Sequence, residues 1–440
     1  MAAAYDVVVV GAGIGGLTIA ALLSARGMSV CVLERQSQVG GCIARVEFSG
    51  SEFEPGMGIY TSFGYGEIYE QVFAQLPVEV PPTSLVSRPY VVRLADGTDV
   101  GLITGDGFFD ELSNAFPECA TQAIEFYRAL AREDVSALDS LGVASPRFRS
   151  FIETQVRGFL HTSVDQCSPA AAVAALARAD GPLYKIQGGP AMLAERLEES
   201  IKRSGGVVRL NTPVLRLAYD SSGAAIGVDL LNGEQVLAKR AIVSNLTIWD
   251  TYGKLVGLNR TPPETKKLLN TLQGTGAYVV YATIEEAAIT RLPSERLLVA
   301  TVSTDEDDSF SEITLAVYNG TATLKTATDV NEWFTFHASE EDFEESDQAA
   351  LECFWTKLHA ALPELGSDIE VIETANPRSF YDQTRRKLGM VLGVQSVQIP
   401  LPKAVLANLY VVSDTVSPSP DLSSLTQLAL KTAEAIHKNS

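Results

Sequence analysis

The feature that most constrains the fold is a run of 19 residues without a charge, at positions 7–25. A membrane-spanning helix needs about 20 apolar residues, so the length alone would allow an anchor. Four glycines interrupt the run, and each weakens a helix by about 1 kcal/mol: Gly11, Gly13, Gly15 and Gly16. A β-branched block precedes them, an apolar helical stretch follows at 17–23, and a second β-branched block covers 29–33. This order predicts a strand, a glycine turn, a helix and a second strand.

The glycine spacing is typical of a dinucleotide-binding turn. In such a turn Gly11 would permit the tight bend, Gly13 would let the backbone approach a pyrophosphate, and Gly16 would let helix and strand pack closely. Glu34 follows the second strand, where a carboxylate can accept both ribose hydroxyls. A membrane span and a coincidental glycine cluster are the alternatives. We favour the nucleotide because strand, turn, helix, strand and acid occur in the required order.

Length and charge limit the class of protein. A chain of 440 residues exceeds what one hydrophobic core usually holds, which predicts two domains. Lys and Arg number 34 against 54 Asp and Glu, a net charge of −20 that disfavours nucleic acid as a partner. No basic segment precedes the first apolar block, so we expect no secretory signal. We expect a cytoplasmic protein, with peripheral membrane contact left open.

Cysteine and histidine usage gives no sign of a metal centre. The five cysteines are widely spaced and form no CxxC pair, so we interpret them as reduced thiols: Cys31, Cys42, Cys119, Cys167 and Cys353. No two of the four histidines have the spacing of metal ligands: His161, His337, His359 and His437. We therefore predict no metal site. We also find no nucleophile elbow that would indicate a hydrolase.

Turn signals and periodicity organise the rest of the chain. Asp96-Gly97 and Asn232-Gly233 each predict a β-hairpin between alternating strands. Helical stretches are predicted at 107–138 and 147–178. A second glycine turn, within 184–206, leads into an amphipathic helix, and single strands are predicted at 207–218, 223–231 and 234–244.

Several segments together point to one family. The opening fingerprint, "LERQSQVGG", "GGPAMLAERLEESIKRSGGVVRLNTPVLRL" and "NLYVVSDTVSPSPDLSSLTQLALKTAEAI" follow one another in this order. Their order resembles the phytoene desaturase family of FAD-dependent oxidoreductases, which includes carotenoid desaturases, prolycopene isomerases and retinol saturases. The segments "GFFDELSNAFPECATQAIEFYRAL" and "IETANPRSFYDQTRRKLGMVLG" look like the family's helical insert and its segment before the C-terminal part.

The resemblance implies a fold class and domain bounds. The expected fold is α/β, a glutathione-reductase-like, Rossmann-type FAD-binding domain with an inserted α+β substrate domain. The FAD-binding domain would be assembled from residues 1–75, 184–245 and 371–440. The substrate-binding domain would comprise residues 76–183 and 246–370.

The resemblance also implies which residues hold the cofactor in the first part of the chain. The positions that match the family's pyrophosphate turn are Gly11, Gly13, Ile14, Gly15 and Gly16. Glu34 would bind the adenosine ribose, with Arg35 flanking it. In the family a second diglycine, here Gly40-Gly41, distinguishes FAD from NAD, and Gly41 would contact the ribityl–phosphate region.

Later in the chain the match is less regular. Val214 resembles the residue whose backbone pairs with adenine, and Asp414 matches the acid that bonds the ribityl chain or pyrophosphate. Ser424 and Leu425 would lie in the first turn of the final helix, beneath the flavin ring. The family usually has glycine before the acid, where this chain has Ser413, and a glycine-rich approach to the last helix, where it reads "SPSPDLSSLTQ".

The implied function is that of an FAD-dependent oxidoreductase. Its substrate would be an apolar isoprenoid or polyene, changed at carbon–carbon double bonds by desaturation, saturation or flavin-assisted isomerisation. Tyr60, Phe63 and Tyr65 are candidates for the wall of a substrate tunnel, with ordinary core packing as the alternative. A flavin amine oxidase-like enzyme and a non-catalytic flavin- or lipid-binding protein are the other hypotheses. The sequence identifies no catalytic side chain and no oligomeric state.

Overall fold

A computed structural model describes residues 3–86, 90–103, 107–177, 182–272, 274–302, 310–334, 340–390, 406–419 and 421–438. The chain opens with strand β1 (Ala3–Val10), helix α1 (Ile14–Ala25) and strand β2 (Val30–Leu33). The uncharged run is thus a strand, a turn and a helix, as its glycines predict. Within the described ranges, no helix combines the length and the apolar character needed to cross a bilayer.

The remaining strands are β3 (Val46–Phe48), β4 (Ser51–Phe53), β5 (Thr83–Leu85), β6 (Tyr90–Arg93), β7 (Asp99–Leu102), β8 (Tyr184–Ile186), β9 (Val207–Arg209), β10 (Val214–Tyr219), β11 (Ala225–Leu230), β12 (Gln235–Ser244), β13 (Gly276–Ile284), β14 (Arg296–Ala300), β15 (Glu312–Tyr318), β16 (Thr321–Thr328), β17 (Ile369–Ala375) and β18 (Leu409–Val411). The remaining α-helices are α2 (Ile68–Phe73), α3 (Gly107–Ala115), α4 (Ala120–Leu130), α5 (Pro146–Leu160), α6 (Pro169–Leu176), α7 (Ala191–Arg203), α8 (Ile248–Asp250), α9 (Pro263–Thr271), α10 (Glu286–Arg291), α11 (Glu340–Ala361), α12 (Pro377–Thr384) and α13 (Leu422–Lys438). Short 3-10 and π-helical turns connect some of them.

The first large sheet carries the glycine turn. Its strand order is β10-β11-β12-β1-β2-β9, and β18 also pairs with the C-terminal end of β12. Strands β9, β2, β1, β12 and β18 are parallel, whereas β10 and β11 extend the sheet as an antiparallel pair. The turn after β1 therefore lies at the carboxyl edge of a parallel sheet, where α/β proteins bind ligands.

Alternating side chains along β1 and its neighbours supply two apolar layers. Val7 and Val9 face helices α1, α7 and α13, while Val8 and Val10 face the opposite layer, with Trp249 and Tyr252. This alternation follows from the two-residue period of a strand. Because both faces of the sheet are covered, its central strands are almost purely aliphatic.

The second large sheet has the order β17-β13-β16-β15-β14-β6-β7, and only its β14–β6 contact is parallel among the described pairs. Helices α3 to α6 pack on one face, around Phe148, Phe151 and Leu298. Helix α11 covers the other face with Phe354 and Leu358. Most strands of this sheet come from residues 276–375.

Most local predictions agree with these elements. Both hairpins form, β6 with β7 and β11 with β12. The helical stretch at 107–138 is divided into α3, α4 and a 3-10 helix. The single strand predicted at 207–218 is wrong, because β9 and β10 are separated at Asn211, which has φ of +51°. No disulfide joins the five cysteines in this structure.

Candidate functional site

The turn between β1 and α1 is too closely packed to admit side chains. Gly11 has φ of +98°, in the left-handed region that favours glycine. A Cβ atom on Gly16 would lie 2.2 Å from the Gly11 carbonyl oxygen, and one on Gly13 would lie 2.5 Å from Oδ1 of Asn245. Gly11 is thus favoured by its backbone angle and Gly16 by a contact with backbone, whereas the atom that faces Gly13 belongs to the Asn245 side chain.

Helix α1 begins directly after this turn and presents its amino end to it. Gly13 occupies the N-cap and contributes no side-chain hydrogen bond, and the first turn of α1 contains no acidic residue. The N–H groups of Ile14, Gly15 and Gly16 precede the first possible i to i−4 bond within the helix. Together with the helix dipole they form an anion site suited to a pyrophosphate.

Glu34 lies immediately beside the turn. Its Oε2 accepts a hydrogen bond from the Ala12 N–H at 2.7 Å, and its Oε1 accepts one from the Gln36 N–H at 2.8 Å. A carboxylate has about four lone-pair positions, so each oxygen can accept a further donor. Glu34 is half-buried and thus accessible to a ligand. Its bond to Ala12 also fixes the turn, a role that the sequence did not predict.

Arg35 carries an unsatisfied donor next to the same turn. Its Nη1 atom is buried, and no residue that the structure describes accepts a hydrogen bond from it. A buried donor without an acceptor costs about 1–3 kcal/mol. An oxygen of a bound dinucleotide would satisfy this group. The orphaned donor and the glycine cradle both fit a dinucleotide at this position.

The second diglycine lies against the first glycine motif. The Gly40 N–H donates to the Ala12 carbonyl at 2.9 Å, and Gly40 forms an isolated parallel bridge with Gly13. A Cβ atom on Gly41 would lie 3.3 Å from Cα of Gly13. Two loops that are separate in the sequence thus form one backbone-lined surface beside the amino end of α1.

Val214 is brought near Glu34 by the connection between β9 and β10. The Thr212 N–H donates to the Glu34 carbonyl at 2.7 Å, and the Asn211 N–H donates to the Gln36 carbonyl at 2.9 Å. Val214 follows two residues after Thr212 and starts β10. The residue predicted to pair with adenine is therefore on the same side of the turn as the residue predicted to bind the ribose.

Asp414 lies on the other side of the diglycine, in an ion pair with Arg386. Its Oδ2 is 2.7 Å from Nη2 of Arg386, and each side chain is only 16% exposed. Nη1 of Arg386 lies 4.0 Å from Sγ of Cys42, the residue that follows Gly41. Burial opposes the charge of Arg386, but the nearby Asp414 carboxylate and Cys42 outweigh it and raise the Arg386 pKa. The pair thus adjoins the second diglycine.

The final helix packs directly on the first turn of α1. A Cβ atom on Gly15 would lie 3.0 Å from side-chain atoms of both Leu425 and Val412. Asp421 precedes α13, and its carboxylate accepts the Ser424 N–H at 2.9 Å while its carbonyl accepts the Leu425 N–H at 3.1 Å. Ser424 and Leu425 are therefore in the first helical turn, with their amides bonded to Asp421.

Two residues of this region were missed by the sequence analysis. Asn245 lies beneath the glycine turn, bonded through its N–H to the Val10 carbonyl and through Nδ2 to the Val412 carbonyl. Arg386 reaches the diglycine from a distant part of the chain. The only signal for Asn245 was a polar residue at the end of an aliphatic strand, and none marked Arg386. Within the described ranges, no group of three His, Cys, Asp or Glu residues could hold a metal ion.

A cavity of about 1,040 Å³ adjoins Arg386. Lys387, Leu388 and Met390 form part of its wall, and the Met390 carbonyl accepts a hydrogen bond from Nε of Arg386 at 2.6 Å. Apolar side chains contribute to the wall: Leu272, Phe310, Val330 and Trp333. The cavity therefore lies close to the Arg386–Asp414 pair.

Buried polar groups occur in the same wall. His161 is 2% exposed, and burial together with the Lys325 charge lowers its pKa well below the usual value. Glu312 is also 2% exposed. Burial raises its pKa, and hydrogen bonds from Ala327 and Ser311, which act in the opposite direction, only partly offset this rise. The wall thus includes an imidazole that gains a proton less readily than usual and a carboxyl group that loses one less readily than usual.

None of the three aromatic residues proposed as tunnel walls is among the described residues that line this cavity. The Tyr60 hydroxyl donates to Oε1 of Glu54 at 2.8 Å. Phe63 stacks on Tyr69, with ring centroids 4.1 Å apart, and Tyr65 is 97% exposed. Phe63 therefore packs against another aromatic side chain, as expected if it is an ordinary packing residue and not part of a tunnel wall, whereas Tyr65 lies on the surface.

A comparison with protein-family models supports the interpretation of the glycine turn as part of a Rossmann-like domain. Residues 9–76 match the model described as an NAD(P)-binding Rossmann-like domain. The matched segment contains the end of β1, the glycine turn, α1, Glu34 and the second diglycine. It confirms the Rossmann-type dinucleotide-binding fold predicted for this part of the chain.

Comparison with curated sequences gives homologues of two kinds. The chain is 25% identical over 308 residues to the chloroplastic prolycopene isomerase of Daucus carota, covering 59% of this chain and 49% of that protein. It is 24% identical over 326 residues to the all-trans-retinol 13,14-reductase of Homo sapiens, covering 63% and 53%. The chain spans about half the length of the curated relatives it matches.

Solved structures share the fold over the whole chain. An oxidoreductase from Methanosarcina mazei aligns with a TM-score of 0.72 and 17% identity, covering 97% of this chain and 99% of its own. Cyclohexylamine oxidase from Brevibacterium oxydans IH-35A aligns with a TM-score of 0.62 and 17% identity, covering 99% of both chains. At these identities the likeness shows the fold alone. It agrees with the predicted α/β class.

Proposed function

We propose that this chain, a homologue of the prolycopene isomerases and retinol 13,14-reductases, is an FAD-dependent oxidoreductase that acts on an apolar isoprenoid or polyene. The reaction would be desaturation, saturation or flavin-assisted isomerisation at carbon–carbon double bonds. The observation that carries the proposal is the backbone-lined surface that Gly40 and Gly41 form with Gly13 beside the amino end of α1 and Glu34. The carotenoid and retinoid activities for which these homologues are named support the choice of substrate.

Residues around the turn would hold the cofactor. The amides of Ile14, Gly15 and Gly16 would bind its pyrophosphate, and Glu34 would accept its ribose hydroxyls. Because Gly40 and Gly41 have no side chains, the space beside Gly13 would be open to the part of the cofactor that extends beyond its pyrophosphate. A bound flavin supplies hydride transfer to or from an activated carbon. Because the flavin would supply the hydride transfer, the protein itself would need few catalytic side chains.

The residues around the cavity would position the substrate and exclude water. Ligand pockets usually enclose about 300–1,000 Å³, so this cavity is large enough for an extended molecule. Leu272, Phe310 and Trp333 would contact a hydrocarbon chain, while polar and charged residues make up most of the rest of the wall. Holding such a chain in one orientation is itself a large contribution to rate.

Two alternatives remain testable beside this proposal. An amine oxidase-like enzyme would share the fold, as the alignment with cyclohexylamine oxidase illustrates. A non-catalytic flavin- or lipid-binding protein would bind the same molecules without turnover. The visible spectrum of the protein under anaerobic conditions separates them. Reoxidation of dithionite-reduced protein by a polyene, bleaching of the oxidised flavin by a polyene, or a shift in the polyene's own absorption supports our proposal. Bleaching by an amine supports the first alternative, and no response to either class supports the second.

The purified protein is expected to carry FAD non-covalently. The turn and Glu34 are intact, and no Cys or His lies in a recognised attachment motif. Acid precipitation should therefore release a yellow chromophore into the supernatant. A colourless protein that stays colourless when incubated with FAD would contradict the proposal.

Replacing Glu34 with glutamine should weaken FAD binding. The change keeps the size of the side chain but removes the charge that strengthens hydrogen bonds from ribose hydroxyls. A hydrogen bond to a charged group contributes about 1.5–3 kcal/mol, so the dissociation constant should rise at least about tenfold. Titration of the cofactor-free protein with FAD measures this. Glu47→Gln, at an exposed position on β3, is the matched control and should bind FAD normally.

A further inference from the structure

A single side chain fills the space behind the glycine turn. Asn245 directly follows β12, and its N–H donates to the Val10 carbonyl at 2.8 Å. A Cβ atom on Gly13 would lie 2.5 Å from Oδ1 of Asn245. Cβ atoms on the other three glycines of the turn would each lie 3.0–3.4 Å from an Asn245 side-chain atom: Gly11, Gly15 and Gly16. The backbone of the turn is therefore packed around Asn245.

Gly13 depends on this side chain more than the other glycines do. Its φ is −73°, an angle that any residue can adopt. Among the residues that the structure describes, and apart from the chain neighbours of Gly13, only Asn245 has atoms within 4 Å of the added Cβ position. These atoms are Oδ1 at 2.5 Å and Cγ at 3.6 Å. Within the protein, it is therefore the Asn245 amide that leaves no room for a side chain at position 13.

The same amide also contacts the segment that precedes the last helix. Nδ2 of Asn245 donates to the Val412 carbonyl at 2.5 Å. Val412 is fully buried, and its own N–H donates to the Ser244 carbonyl at 2.9 Å. Asp414 follows two residues later. One side chain thus joins the turn expected to bind the pyrophosphate to the segment expected to bind the ribityl chain or pyrophosphate.

We propose that Asn245 is a positioning residue of the cofactor site, which holds the glycine turn and the Asp414 segment at a fixed separation. The inference rests on the proposed function, because it takes both segments as parts of one FAD site. A cofactor that contacts both segments binds tightly only if they are already correctly spaced, since ordering them on binding lowers affinity. Asn245 would act through these two segments.

Asn245→Ala is the first variant, because it removes the bond to Val412 and leaves the backbone intact. We expect the FAD dissociation constant to rise about tenfold, as expected from one lost hydrogen bond that orders the site. Fluorescence titration of the full-length chain, stripped of cofactor, with FAD measures this. Urea unfolding of the same cofactor-free protein measures the accompanying loss of stability.

Asn408→Ala is the matched control. Nδ2 of Asn408 donates to the Ala225 carbonyl at 2.8 Å, and Asn408, like Asn245, is half-buried. It directly precedes β18, whereas Val412 directly follows that strand, so the control bond lies at the opposite edge of the same sheet. Both variants should lose stability in urea. Only Asn245→Ala should lose affinity for FAD, whereas a merely structural asparagine would behave like Asn408.

A second measurement tests the contact between Asn245 and the turn. Gly13→Ala alone should lower the urea midpoint, because its Cβ atom meets Oδ1 of Asn245. In the Asn245→Ala background the same change should cause no further loss, since both nearby atoms are gone. Gly16→Ala should be destabilising in either background, because its Cβ atom meets the Gly11 carbonyl oxygen.

The outcomes separate this inference from the proposed function. Equal affinity of the two asparagine variants for FAD would overturn the inference while FAD binding itself stands. A loss caused by Gly13→Ala that persists in the Asn245→Ala background would overturn it as well. A wild-type chain that binds no FAD would overturn the proposed function and, with it, the role of Asn245.

Discussion

Gly16→Ala is expected to abolish FAD retention and to destabilise the fold. The added Cβ atom would lie 2.2 Å from the Gly11 carbonyl oxygen, which is backbone and cannot rotate away. Helix α1 would have to move from β1, although Leu425 of α13 packs against its first turn. Overpacking of this kind costs about 1–3 kcal/mol of unfolding free energy. Displacing the amides from the pyrophosphate should weaken FAD binding at least about a hundredfold.

Urea unfolding and FAD titration of the same variant measure the two effects. Gly142→Ala is the control, because Gly142 is exposed and an added Cβ atom would meet nothing within 4 Å. This control should match the wild type in stability and in FAD affinity. A Gly16→Ala protein with normal affinity for FAD would mean that the cofactor is bound elsewhere.

Asp414→Ala should be the most destabilising single change in the ion pair beside the diglycine. The substitution leaves the Arg386 guanidinium in a site where its side chain is 16% exposed, without the carboxylate at 2.7 Å. Removing one partner of a buried pair costs about 3–5 kcal/mol. We expect the lower end of that range, because Arg386 keeps its bond to the Met390 carbonyl.

A double-mutant cycle isolates the pair. Arg386→Met combined with Asp414→Ala removes both charges, so the double variant should be more stable than Asp414→Ala, and Arg386→Met alone completes the cycle. Urea unfolding of protein stripped of cofactor gives the required free energies. Strictly additive losses would show that the two side chains do not interact in solution.

The sequence was most informative where short-range geometry decides the structure. The glycine turn was predictable because the spacing of its glycines is typical of a strand that turns directly into a helix at a pyrophosphate site. The Asp96-Gly97 and Asn232-Gly233 hairpins were predictable because those dipeptides adopt the required backbone angles. The break between β9 and β10 was missed, although Asn211 and Pro213 were visible signals for it.

The rest of the site depends on contacts that no local pattern encodes. Arg386 meets Asp414 and Cys42 only after three distant segments have packed together. Asn245 directly follows β12, but it acquires its role only by packing against the turn after β1. His161 had no neighbouring motif, and its burial follows from packing of α5 on the second sheet. Such positions require the tertiary structure.

The packing of α13 on the glycine turn has a consequence for synthesis of the protein. Gly15 and Leu425 touch in the finished fold, and 410 residues of chain separate them. At about 5–20 residues per second, a ribosome needs on the order of 20–80 s to make that length. During this interval the first helix has left the ribosome, but its apolar side still lacks the partner that covers it. The nascent chain should therefore be a substrate for chaperones until its last helix emerges.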